Sequence, residues 1–432
     1  MCRSDLKIWA ARLYFTAQRI RYEARLNKDM RLSFGTISIP EKSKKLIHDI
    51  LDSGRITSGK YVREIEEKFA DLIGTKYAVA VSSGSDADAL ALAALHDFGA
   101  SRGDEVIVPA LSFAATGNAV LQAGFKPVFV DIERETLNIA SSEIENAITR
   151  KTRAIMPVHL MGKPADMETI NRIAKKHGIV VVEDAAEAYG TEYKGKRAGR
   201  LGDMGAFSLY AAHVITAIEG GMIVTDNKDY AEVLRSLRSH GRACKCEKCV
   251  LNISSGHCKK RFQFRTDIRF IFERIGYSSK MNELEAAIAL GQLEMYDRII
   301  KKRRRNLLYL MKEFVQFAPL LLTLREESYE KIGPHAFPII IQEASNIDRD
   351  EFVDYLGKKG IDSRSLFSSM PTQCAGFEFL GYKMGDFPNA EYIGDNGLHI
   401  GIHQGIDREG LDYFLKTVKD FLSSLVKRSI SV

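Results

Sequence analysis

The sequence predicts an α/β protein with a mostly parallel seven-stranded sheet and a smaller α+β portion toward its C-terminus. Three observations carry this. Short β-rich apolar runs alternate with amphipathic stretches between Tyr77 and Thr225. The run VVVED is apolar on both alternations, as a strand buried on both faces must be. Beyond Asn282 this alternation gives way to a long helical pattern and fewer strand signals.

In chain order, strands are expected at Tyr77–Val81, Val106–Pro109, Pro127–Asp131, Ala154–Val158, Ile179–Glu183, Ala206–Leu209 and Met222–Thr225. Helices are expected between the early ones, at Ala87–His96, Ala115–Ala123, Ser142–Thr149 and Met167–His177. NELEAAIALGQLEMYDRIIKKRRRNLLYLMKEF then reads as one helical span leading into the smaller part, with Lys301–Arg305 as a solvated face. That part offers a strand at Ala336–Ile341 and helices near Arg349–Lys359 and Asp407–Val426. The organisation expected is an extension over 1–34, a large domain over 35–295 with a Cys-rich insertion at 243–262, and a small domain over 296–432. Residues 1–29 are basic and helix-compatible but lack the apolar core and cleavage site of a secretory signal; translation from Met30 is the alternative.

A chain of 432 residues with 45% hydrophobic and 27% charged residues has the balance of a soluble globular protein. Its net charge of +6 is small against 62 basic and 56 acidic residues, which favours anionic ligands weakly and argues against a nucleic-acid partner. No apolar run of about 18 residues exists, so no membrane span is expected. The expected location is the cytoplasm.

Four features bear on chemistry. In VSSGSDADALALAAL, Gly84 permits close backbone approach and Ser85 adds a hydroxyl where free helix-start amides favour a phosphate; a plain N-cap is the simpler reading. Phe113 follows a strand end, where its ring could stack on a flat heterocycle or simply join the core. Asp184 ends the VVVED strand and is a candidate partner for a pyridinium nitrogen; an N-cap or surface salt bridge is the plainer alternative. AFSLYAAHVITAIEGGMIVTD adds Ser208, His213 and a Glu-Gly-Gly turn.

Taken together and in this order, these features resemble the DegT/DnrJ/EryC1/StrS family of the fold type I PLP enzymes. The resemblance runs from about Gly35 to the C-terminus through VHLMGKPADM and IGYSSKMNELEAAIALGQLE. It implies that Gly84, Ser85 and Ser208 hold the phosphate of PLP or PMP, that Phe113 stacks on the ring and that Asp184 pairs with the ring nitrogen. Glu187 stands near the ring hydroxyl where the family has His or Gln. Ser278 stands where it has an Asn reaching a neighbouring subunit's phosphate. A homodimer is implied.

The residue five after Ser208 is a Schiff-base lysine in that family; here it is His213, and the next lysine is Lys228, beyond the glycine turn. Imidazole forms no stable Schiff base but titrates near neutrality and moves protons. Such a site can still use PMP against a keto sugar, where proton loss from the methylene expels a hydroxyl. The chain is thus similar to the family's nucleotide-sugar 3-dehydratase branch, which acts on nucleotide-linked 4-keto-6-deoxyhexoses of lipopolysaccharide biosynthesis. The alternatives are an aminotransferase of the same family and a non-catalytic nucleotide-sugar binder.

Cys244, Cys246, Cys249 and Cys258 have the spacing C-x-C-x2-C-x8-C, with His257 beside the last. Soft thiolates in one stretch suit iron–sulfur or zinc, and free thiols remain the third reading. The 3-dehydratase resemblance implies a [2Fe–2S] cluster fed by a flavin or iron–sulfur reductase. In the small domain, Arg364, Gln373, His399 and His403 could reach the substrate, and HIGIH spacing puts both imidazoles on one side of a strand.

Overall fold

The computed structural model describes residues 30–244, 246, 258–262 and 265–430. The basic N-terminal segment, Cys249 and His257 lie outside the described residues. Seven strands, β1 (Tyr77–Val81), β2 (Glu105–Pro109), β3 (Lys126–Val130), β4 (Thr152–Ile155), β5 (Val180–Asp184), β6 (Met204–Ser208) and β7 (Gly221–Thr225), form one sheet. Their order is β1-β7-β6-β5-β4-β2-β3. Only β7 runs against its neighbours, so the other six point their C-terminal ends to one edge. Each predicted run became a strand, with ends moved by a few residues.

The two-residue period of the strands splits the core into faces. Val79 and Val81 pack with Leu90 of the helix Gly84–Ala93, while Ala78 and Ala80 pack with Phe69, Ala286 and Leu290 on the opposite side. The helix Met167–His177 covers the middle of the sheet with Ile170, Ile173 and Ala174. Its start is capped by Asp166, and Gly178 ends it in the left-handed conformation.

The long helical span breaks at Met295 into Glu283–Glu294 and Tyr296–Phe314. The first half carries alanine, leucine and glycine almost all round and is buried; the second is amphipathic. The basic run is not uniformly solvated. Arg303 is buried, donating to the carbonyls of Pro334 and His335, and Arg304 pairs with Glu326 at 2.6 Å. Beyond it, Leu321–Leu322, Ala336–Ile341, Gly397–Gly401 and Ser363–Ser365 form a second, antiparallel sheet in that order. Helix Arg408–Ile430 covers it with Phe414, Val418 and Phe421, and Leu32 pairs with Ile361 beside it. Among the described residues no helix is long and apolar enough to cross a membrane.

One long-range cap ties the large unit together. The buried carboxylate of Glu283 accepts hydrogen bonds from the N–H groups of Gly59, Tyr61 and Val62 at 2.8, 3.0 and 2.9 Å. These are orphan donors at the start of helix Lys60–Ile73. Glu283→Ala leaves them buried without a partner. We expect a loss of about 3 kcal/mol of stability, read as a lower urea midpoint with an unchanged slope.

Candidate active site

The C-terminal ends of β1, β5 and β6 and the loop after β2 meet at one edge of the sheet, where open α/β sheets place their ligands. A cavity of about 490 Å³ opens there, lined by Gly84, Ser85, Phe113, Asp184, Glu187, Ser208 and His213 among others. Ser278 is not part of it. That residue is exposed and forms a bridge with Ser239.

At one end the chain leaves β1 and turns straight into helix Gly84–Ala93. Ser83 is the cap, its hydroxyl accepting from the Asp86 N–H at 3.0 Å. The plain capping reading therefore falls on Ser83, and Gly84 and Ser85 face the cavity. A Cβ on Gly84 would lie 2.6 Å from the Ser208 Cβ, so glycine lets the two loops approach each other. The Ser208 hydroxyl accepts from the Tyr210 N–H at 3.2 Å, which aims it at the same space.

At the other end Asp184 is buried. Its Oδ2 accepts from the Thr116 hydroxyl at 2.8 Å and its Oδ1 from the Ala186 N–H at 3.2 Å. Burial raises its pKa above the usual carboxylate range, and these donors oppose that rise. Thr116 is in turn bonded to Ser112 at 2.8 Å. Phe113 caps the helix Ala114–Gln122 and stays 62% exposed at the rim, 5.7 Å from the Phe367 ring. An aromatic ring this open is not a core residue.

His213 lies between these ends. Its Nδ1 is buried without a partner, and desolvation followed by the Arg303 charge lowers its pKa to about 4. The imidazole is therefore neutral at neutral pH and free to accept a proton. Glu187 accepts the Met161 N–H at 2.7 Å, and desolvation pushes its pKa up to about 8. It also stands 3.3 Å from the Nε2 of His335, whose ring is 5.2 Å from that of His213. His335 was missed in the sequence, as was Thr116. A histidine directly ahead of a strand in GPHAFPIII carries no spacing signal, whereas Thr116 sits three residues past Phe113 on the helix Ala114–Gln122 and was legible as its companion.

The opposite wall comes from the second sheet. Arg364 and His399 are register partners on neighbouring strands and both line the cavity. Arg364 is held over the Phe34 ring at 3.9 Å. The other two small-domain candidates are corrected. The strand ends at Gly401, so His403 has left the pleat; it bonds Ser33 and the Gly405 N–H instead. Gln373 is used in binding the Glu391 carbonyl and Asp395.

The sulfurs of Cys244 and Cys246 lie 3.8 Å apart, and Cys258 is half-buried. Among the described residues no three His, Cys, Asp or Glu side chains gather as a metal site. The predicted ligand Cys249 is outside them.

The donor set fits a phosphorylated pyridine: a glycine-serine cradle for the phosphate, a buried acid for the ring nitrogen and a rim aromatic for the face. Gly84→Ala should weaken binding of pyridoxamine phosphate at least about tenfold, or about 1.4 kcal/mol, by equilibrium dialysis. In the cofactor-free protein the His213 ring should titrate near pH 4, staying neutral from there upward, as read from its Cε1–H resonance. A midpoint near 6.5 contradicts the desolvated setting.

Comparison with known proteins agrees with this geometry. Residues 38–419 match the model of the DegT/DnrJ/EryC1/StrS aminotransferase family. The chain is 35% identical to a GDP-4-keto-6-deoxy-D-mannose 3-dehydratase of Escherichia coli O55:H7, over 87% of this chain and 96% of that one. It is also 35% identical to a GDP-perosamine synthase of Escherichia coli O157:H7, over 89% and 97%. The solved structure of an E. coli GDP-4-keto-6-deoxy-D-mannose 3-dehydratase with bound hydrated PLP superposes with a TM-score of 0.78 at 32% identity, covering 89% of this chain and 98% of that one. Sheet order, cavity and sequence all lead to one assignment: the chain belongs to the DegT/DnrJ/EryC1/StrS aminotransferase family and has the fold type I architecture of PLP enzymes.

Proposed function

We propose that the chain is a PMP-dependent nucleotide-sugar 3-dehydratase in which His213 moves the proton that a lysine moves elsewhere in this fold. The observation that carries the reading is the wall of the cavity: no lysine is among the described residues that line it, and a half-buried imidazole whose Nδ1 is shielded from solvent is. Amino transfer, the activity in the family's description, draws on an amine that can take the cofactor covalently. Imidazole does not supply one.

When bound, PMP supplies an electron sink next to its methylene carbon. Asp184, held by Thr116 and Ala186, would pair with the ring nitrogen. Gly84, Ser85 and Ser208 would hold the phosphate, and Phe113 would cover the ring. His213 would be the group placed to take a proton from the cofactor's methylene and to return one to the leaving hydroxyl. Arg364 and His399 face the nucleotide-linked 4-keto-6-deoxy sugar from the second sheet, with Arg364 held ready for anionic groups by its stacking on Phe34.

The reading includes a homodimer. Phe113 and Tyr210 remain 62% and 46% exposed on the cavity wall, and Ser278 is exposed. A reductive version of the reaction would draw on a cluster at Cys244, Cys246, Cys249 and Cys258. The described residues bring only two of these sulfurs together, so no step is routed through a metal.

Three measurements test the proposal. Borohydride treatment with PLP should leave no cofactor covalently attached to the protein; an adduct contradicts the reading. His213→Asn should slow solvent-proton exchange at the PMP methylene at least about 100-fold while retaining the cofactor. Mass spectrometry of a turned-over 4-keto sugar should show loss of one water, and an amino sugar product would favour the transferase alternative.

A further inference from the structure

Asp88 is a carboxyl that the reading above does not use. It lies on the helix Gly84–Ala93, three residues past Ser85 and four past Gly84, on the face that those residues present to the cavity. It is 3% exposed and lines the same cavity as Asp184. Its Oδ1 is the only buried carboxylate oxygen without a hydrogen-bond partner among the described residues. An unpartnered acid at such depth is costly unless it stays neutral or meets a ligand.

The neighbouring elements explain which of the two acids is charged. Helix Ala114–Gln122 and strands β6 and β7 carry no ionisable side chain toward Asp88. On β5, Glu183 is taken up by His159 and the N–H groups of Gly199, Leu201 and Gly202. On the helix Lys228–Leu237, Arg235 lies over the Tyr77 ring. Across the cavity stand Glu187, His213, Glu219, His335, Arg364 and His399. Burial raises the Asp88 pKa well above the usual range, and the charge of Asp184 adds to that rise. Asp184 has two donors and Asp88 has none. Two buried acids in one cavity cannot both ionise cheaply, and the donors decide which does.

We propose that Asp88 is a second acid of the cofactor site, a positioning residue that remains protonated while Asp184 is charged and ionises once a ring cation neutralises Asp184. Its proton then leaves to solvent, and its negative charge extends the pH range in which the ring nitrogen stays protonated. This rests on the reading that the site holds a vitamin B6 phosphate.

The test is a pH titration of the absorbance of bound pyridoxamine phosphate in the full-length protein. Asp88→Asn keeps shape and removes the charge. It should lower the midpoint of ring-nitrogen deprotonation by at least about one pH unit, with the neutral-pH spectrum unchanged. Asp88→Ser serves as a second variant should the first fold poorly, and predicts the same shift. A midpoint equal to that of the unaltered protein in either variant overturns the proposal alone. Failure of the unaltered protein to bind the phosphate ester overturns the cofactor reading and this proposal together.

Discussion

The site is organised around a carboxylate that has to carry charge where water hardly reaches it. Asp184 ends a strand whose every residue beyond the first is buried, and that burial raises its pKa. The Thr116 hydroxyl and the Ala186 amide make the ionised form affordable, and Ser112 orients Thr116. Everything else around the cavity can be read as a response to that placement. The other acids near it, Asp88 and Glu187, are driven toward their neutral forms, and the imidazoles toward theirs. Around Asp184 the wall thus favours neutral forms of its nearest acids and imidazoles, with Arg364 on the opposite side.

Replacing an amine with imidazole at position 213 changes what that wall can do. A lysine would bring a positive charge and a covalent bond; His213 brings a neutral acceptor that Arg303 and desolvation keep neutral. In the proposed reading the cofactor would be held only by its phosphate, its ring face and its nitrogen. That places more weight on the Gly84 and Ser208 contact, where no side chain larger than hydrogen fits.

Much of this was legible in the sequence because it depends on strand ends. A strand buried on both faces announces itself by unbroken apolar residues, and the residue closing it is forced to the sheet edge. Asp184 and Phe113 were singled out that way, and Ser208 and His213 through the family resemblance. Residues acting from outside this logic were not. His335 precedes a strand of a different sheet and reaches Glu187 only through tertiary folding. Asp88 looks like one acid on a helix, and its meaning appears only when its missing partners are seen. The pleat argument for His399 and His403 failed because the strand stops at Gly401, between them.

The Glu283 cap has a consequence for how the molecule is made. Its carboxylate serves amides as many as 224 residues earlier in the chain. At ribosomal speeds, that span takes on the order of ten seconds or more to emerge. Over that interval the nascent helix around Lys60 lacks its terminator, and edge strand β1 waits equally for β7. Native closure of this half is therefore a late event in synthesis, and the newborn polypeptide needs protection from premature association until then.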